Sequence, residues 1–325
     1  MKKAFTLIEM IIVIVIAGIL ATGTFIALKE IYLRTAKSKA ISELSQTSQL
    51  VSSEVASLLY DRVPSSVIGY NSLDATYQSI YDINKTYNIL EWIGVAKESF
   101  LHRDYSSFVD MNASHPLTDT LKSPDTNISS IANTIQKKFD TTQNVYDNDI
   151  VALIFSGSFD RGSLVENSDF NNSFGWHGGN AKLIYKIKSS SSGNLIKLKS
   201  HPNEIYEKYY LVDSAYAIAR GEDLNKSLIQ NNCGFDLSGI SKSDFNSTMF
   251  LFYDYRPWKK ETFCADPNIL NGETREGNVT VLSTQTEGFR VDIINNNVQF
   301  NLTLKRVISS DKKHSVVISK QKVIF

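Results

Sequence analysis

The segment from Met1 to Leu28 constrains this chain more than any other stretch. It opens Met1-Lys2-Lys3-Ala4-Phe5-Thr6-Leu7-Ile8-Glu9-Met10. From Met10 to Leu28 nearly every residue is Ile, Val, Leu, Ala, Phe or Met, relieved by Gly18, Thr22, Gly23 and Thr24. A helix rises about 1.5 Å per residue, so the run is long enough to cross a hydrocarbon core of about 30 Å. Lys2 and Lys3 hold the N-terminus on the cytoplasmic side, which places everything after Leu28 outside. A cleaved secretory signal has an apolar core of about 7–15 residues followed by a small-x-small site. This run is longer, and it passes into a striped helical pattern without a turn. A plain signal anchor fits the length but leaves Glu9 unexplained, because a carboxylate near the end of a membrane helix costs on the order of a few kcal/mol unless paired.

Beyond Leu28 the apolar residues fall into a stripe. Ile41, Leu44, Ser48, Val51, Val55 and Leu58 recur in steps of three and four, the signature of one helix face. No proline interrupts the chain before Pro64. Because the residue preceding a proline is disfavoured in a helix, the spacing predicts one helix from about Phe5 to Arg62. The stripe is too short and too polar at its centre for a coiled coil. Residues 63–148 read as helices and loops, with helical spacing at 88–103 and again at Ile128, Ile131, Ile135 and Phe139 behind the cap-like Asp125-Thr126-Asn127. From Asp149 the texture is β. The candidate strands are 150–155, 181–187, 195–199, 209–220, 249–255, 279–283, 288–294, 298–307 and 315–324, rich in Val, Ile, Tyr and Phe. Asn295-Asn296-Asn297 reads as a hairpin turn. The fold class expected is α+β: a long N-terminal helix, half membrane segment and half stalk, packed on a mainly antiparallel head with a helical insertion.

The chain carries 34 Lys+Arg against 34 Asp+Glu, so no net charge calls for a nucleic-acid partner. Its two cysteines, Cys233 and Cys264, both lie in the outward part, where an even count favours a disulfide over two buried thiols.

Ala4-Phe5-Thr6-Leu7-Ile8-Glu9 resembles the processing site of the type IV pilin and type II secretion pseudopilin family. The resemblance implies that a prepilin peptidase cuts between Ala4 and Phe5, that the new amine of Phe5 is methylated, and that the apolar helix enters a filament core. The family usually has Gly before the cut, where this chain has Ala4. The segments that follow are a leader at 1–4, a transmembrane or filament-core helix at 5–28, an amphipathic stalk at 29–62, an insertion at 63–148 and a β-rich head at 149–325. The order of Tyr209–Tyr216, a Cys-bearing loop, Glu287–Val291 and Leu302-Thr303-Leu304 is similar to the larger minor subunits, the J-type pseudopilin and the W-type minor pilin.

Enzyme chemistry finds little support in the residues. Five histidines are scattered at no metal-ligand spacing. Trp176-His177-Gly178-Gly179 resembles an esterase oxyanion loop but has no Gly-x-Ser-x-Gly beside it. Asp147-Asn148-Asp149 and Ser168–Asn172 offer oxygens of the kind calcium takes, without an EF-hand pattern. Tyr253–Lys260 mixes aromatic and basic residues, as stacking platforms do, and as strand ends that snorkel their charges also do.

The expectation is therefore a minor pilin or pseudopilin that is no enzyme and needs no cofactor, with calcium the single alternative. It is anchored by one span in the inner membrane with its head in the periplasm. Its partners are the prepilin peptidase, other minor and major pilins or pseudopilins, and the inner-membrane assembly platform. Glu9 is expected to serve assembly, its carboxylate meeting the Phe5 amine of a neighbouring subunit and setting the register between apolar helices. The competing class is a membrane-anchored periplasmic enzyme or ligand-binding protein.

Overall fold

The computed structural model describes residues 6–82, 87–115, 118–158, 170–294, 297–308 and 314–324. Helix α1 runs unbroken over Leu7–Tyr60, 54 residues, or about 80 Å at the usual rise. It stops where the chain approaches Pro64. The Arg62 guanidinium then donates to the carbonyl of Leu59 at 2.5 Å, a cation placed on the negative end of the helix dipole.

The head is built from β1 (Ile68–Asn71), β2 (Thr76–Ser79), β3 (Ile89–Val95), α2 (Lys97–Leu101), β4 (Thr120–Lys122), α3 (Ile128–Lys138), β5 (Ala152–Phe155), β6 (Tyr185–Lys186), β7 (Leu195–Lys197), β8 (Tyr209–Arg220), α4 (Lys226–Asn232), α5 (Lys242–Asn246), β9 (Met249–Tyr255), β10 (Glu261–Phe263), β11 (Thr274–Glu276), β12 (Asn278–Ser283), β13 (Thr286–Ile294), β14 (Asn297–Val307) and β15 (Ser315–Ile324). The main sheet runs β12-β9-β8-β3-β1-β2, with β5 pairing β8 and β6 pairing β5. Every pairing within it is antiparallel. β13, β14 and β15 form a separate antiparallel sheet, β4 pairs β7 antiparallel, and β10 pairs β11 in parallel. The architecture is α+β, a long helix on a mainly antiparallel head.

The stalk half of α1 packs on β14 and β15. Its buried face is Ala40, Leu44, Ser48, Val51, Ser52, Val55, Ala56 and Leu59. This differs from the expected stripe at its ends: Ile41 is 43% exposed, because a four-residue step back from Leu44 reaches Ala40. Across the interface stand Val298, Phe300, Leu302 and Leu304, all buried, and the one-face alternation read from β14 is what the sheet needs. Glu43 pairs with Arg306, and Lys320 donates to Gln49, on the rim of the same contact.

Residues 63–148 carry strands as well as the helices and loops the sequence suggested. They supply β1, β2 and β3 to the main sheet, and β3 lies between β8 and β1. The helical spacing at 88–103 belongs mostly to a strand buried on both faces. Leu90 and Trp92 join the core on the α1 side, whereas Ile89 and Ile93 join the core on the far side. Such a strand shows no period-2 alternation and mimics a helix segment. The second helix is present as α3. Asn127 caps it through Oδ1, which accepts from the amides of Ser129 and Ser130. Ile128, Ile131 and Ile135 face a third core with Val151, Leu153 and Phe155.

Candidate functional site

From Leu7 to Tyr32 the described apolar side chains of α1 face away from the head. Phe25 is 71% exposed and Leu7 is 80% exposed. Such a helix is long and apolar enough to cross a membrane. The hydroxyls of Thr22 and Thr24 donate to the carbonyls of Ile19 and Leu20, so neither presents an unsatisfied polar group to an apolar environment. No atom of the head lies within 4 Å of a side chain added at Gly18 or Gly23, which leaves both open to close approach by another helix.

Ala4 and Phe5, the expected processing site, lie outside the described residues. Glu9 lies within them and shows a local partner the sequence reading missed. Thr6 is the N-cap of α1, with Oγ1 accepting from the Glu9 amide at 3.4 Å, while Glu9 Oε2 accepts from the Thr6 amide at 2.8 Å and from the Thr6 hydroxyl at 2.9 Å. This is a capping box, and Thr6-x-x-Glu9 ahead of an apolar run was its legible signal. The box uses only residues that remain after a cut before Phe5.

Cys233 and Cys264 form a disulfide with Cα atoms 5.2 Å apart. It ties the end of α4 to the segment after β10, next to a buried polar centre. There His177 is 1% exposed at its side chain. Its Nε2 lies 3.0 Å from Glu91 Oε1, and its Nδ1 lies 3.7 Å from Asp266 Oδ2. Tyr70 stacks on the imidazole at a centroid distance of 4.0 Å. The remaining carboxylate oxygens are taken up by hydroxyls: Tyr255 donates to Glu91 at 2.7 Å, Tyr70 to Asp266 at 2.9 Å, and Thr262 to Asp266 at 2.6 Å. Burial pushes the imidazole towards its neutral form, but Glu91 and Asp266 outweigh that, and the net shift is upward. Burial also holds the Glu273 carboxyl up at about 7.

His177 takes a left-handed backbone, φ 46° and ψ 48°. A side chain added at the flanking Gly175 would meet the Pro257 carbonyl oxygen at 2.7 Å. Gly175, just before the Trp176–Gly179 loop, thus allows the close approach of the Pro257 segment beside the histidine. The signal for this centre was Glu91, a charge inside the apolar run Ile89–Ile93.

The other sequence candidates are placed as follows. In the Tyr253–Lys260 stretch Tyr255, Arg256, Pro257 and Trp258 are buried, whereas Tyr253 is half-buried and Lys260 exposed. Trp258 Nε1 donates to the Asp149 carbonyl at 2.8 Å. The Asp149 carboxylate lies between the ammonium groups of Lys186 at 3.0 Å and Lys199 at 2.6 Å, two side-chain cations that pair with both of its oxygens. Ser168 and Asp169 of the second oxygen-rich run, and Asn295 and Asn296 of the hairpin turn, lie outside the described residues.

Residues 1–25 match the family model described as the prokaryotic N-terminal methylation motif. No curated protein and no solved structure matches the chain. The chain carries a prepilin-type N-terminus on a long apolar helix, as type IV pilin-like proteins do.

Proposed function

We propose that this chain is a minor pilin or pseudopilin, a structural subunit of a type IV pilus or a type II secretion pseudopilus. It works by assembly and turns over no substrate. The observation that carries the reading is the methylation motif over residues 1–25 on a helix whose first half has no cover from its own head. In this reading the prepilin peptidase cuts between Ala4 and Phe5 and the amine of Phe5 is methylated. The apolar half then passes from the inner membrane into a filament of other pilins or pseudopilins, while the head stays in the periplasm. The size of the head, the order of its last strands and its cysteine pair support a large minor subunit of the J or W type.

Glu9 has two tasks in this reading. In the single chain it closes the capping box with Thr6. In the filament its carboxylate meets the charged Phe5 amine of a neighbour, since an opposite charge within a few Å offsets much of the cost of an ion in an apolar setting. Mass analysis of the membrane-extracted protein tests the proposal. Loss of Met1–Ala4 with one added methyl group is the expected result. An intact N-terminus in mature protein overturns it and favours an anchored enzyme or binding protein.

A further inference from the structure

A second buried charge cluster lies on the α3 side of the head, remote in sequence from the N-terminal helix. Asp213 sits in the long strand β8 at a bulge: Gly94 pairs with Ser214 and Val95 with Val212, so Asp213 is the extra residue. A bulge re-aims a side chain, and here it turns the carboxyl away from the ladder towards the end of α3. The Asp213 side chain is completely buried. Its Oδ2 lies 2.8 Å from Lys138 Nζ, and its Oδ1 has no hydrogen-bond donor among the described residues. Lys138 is itself only 16% exposed, and its Nζ also lies 3.1 Å from Glu98 Oε2 on α2. The Phe139 ring stands 5.0 Å from Nζ and carries the Arg256 guanidinium at 4.9 Å.

An ion pair alone serves this site poorly. Two charges are withdrawn from water, one carboxylate oxygen is unsatisfied, and a single ammonium is divided between two acids. The arrangement does supply what amide formation requires: an amine held against a buried carboxyl, a second carboxyl on the same nitrogen, and little water to reverse the step.

We propose that Lys138 and Asp213 become joined by an intramolecular amide, with Glu98 as the proton carrier. The ground state is the ion pair, in which the two carboxylates keep the amine charged, while burial raises the Asp213 carboxyl. A proton passes from Nζ to Asp213, giving a neutral amine and a neutral acid. The nitrogen lone pair attacks Cγ, and Glu98 takes the second proton from Nζ and delivers it to the departing Asp213 hydroxyl. The Cγ–O bond breaks, one water leaves, and no oxidant or reductant is consumed. Glu98 is 48% exposed, so the water has a way out. The product removes both buried charges. It also ties α3 to the main sheet across 75 residues of chain, on a different face from the disulfide.

Mass spectrometry of the full chain, extracted from membranes and digested with trypsin, tests this. The expected result is a branched peptide joining the Lys138 and Asp213 segments, about 18 Da lighter than the two together, with no cleavage after Lys138. Glu98→Ala should restore two unlinked peptides while the Cys233–Cys264 disulfide still forms, which reports an intact head. Unlinked peptides from wild-type protein carrying that disulfide overturn the proposal, and so does a water loss that persists in Lys138→Met. A full cross-link in Glu98→Ala overturns the role of Glu98.

Discussion

His177→Phe tests the physical account of the buried centre. The substitution keeps a ring to stack on Tyr70 and removes both imidazole nitrogens. Attraction between unit charges at the 3.0 Å separation of Nε2 and Glu91 is about 5 kcal/mol at an effective dielectric of about 20. Much of it repays the burial of the ions, but the variant takes away the cation that faces the buried Glu91 and Asp266. Breaking a buried pair in this way costs about 3–5 kcal/mol, a large share of the roughly 5–15 kcal/mol that holds a domain folded. The left-handed backbone at position 177 tolerates histidine better than a bulky apolar ring, which adds under about 1 kcal/mol for Phe. Glu91→Gln, placed on a regular strand, therefore serves as the companion and should lose about 1.5–3 kcal/mol. Because His177 titrates above its ordinary value in the folded head, its contribution is complete below a pH of about 6.5. It is lost as the pH rises through the folded value. Urea titrations of the full chain in detergent, read by fluorescence of the buried Trp176, should show both variants furthest below wild type at pH 6 and closer at pH 9. Wild-type stability of both variants at pH 6 would refute the claim that a charged imidazole neutralises this centre.

Three further outcomes are expected. Glu273 ionises from about pH 4.5 in the unfolded chain and only from about 7 in the head, so stability falls as the pH rises across that window; in Glu273→Gln urea midpoints between pH 5 and pH 8 should show that fall diminished. The Cys233–Cys264 bond closes a separation of 31 residues, which contributes about 3–4 kcal/mol in the chain-entropy model. Paired Cys→Ser substitution should lower the urea midpoint accordingly, and thiol counting of denatured wild type should find no free cysteine. Leu44→Ala removes a fully buried side chain from the contact between α1 and β14 and should cost about 2.7–5 kcal/mol, measured by the same titration, whereas Leu50→Ala on the exposed face of the same helix should stay within about 0.5 kcal/mol.

The sequence alone determined whatever a single segment can specify. An apolar run bounded by Lys3 and Lys29, with no proline until Pro64, leaves one long helix as its solution. The strands 209–220, 249–255 and 315–324 were legible to their ends because turn residues punctuate them. The Asn127 cap was legible because its partners lie two and three residues away. The tertiary structure decided what depends on two segments meeting. β3 read as a helix because burial on both faces erases the alternation that marks a strand, and only its neighbours β8 and β1 supply both covers. His177 read as part of a glycine turn, with an oxyanion loop weighed and set aside, because its neighbours along the chain are glycines. The groups that fix its chemistry, Glu91 and Asp266, lie 86 and 89 positions away on either side and reach it only through the packing of the head. Asp213 and Lys138 likewise meet across 75 residues. A charge within an apolar strand announces that a partner must exist, because an unpaired ion cannot be buried. Which residue that partner is follows only from the register in which the strands pair.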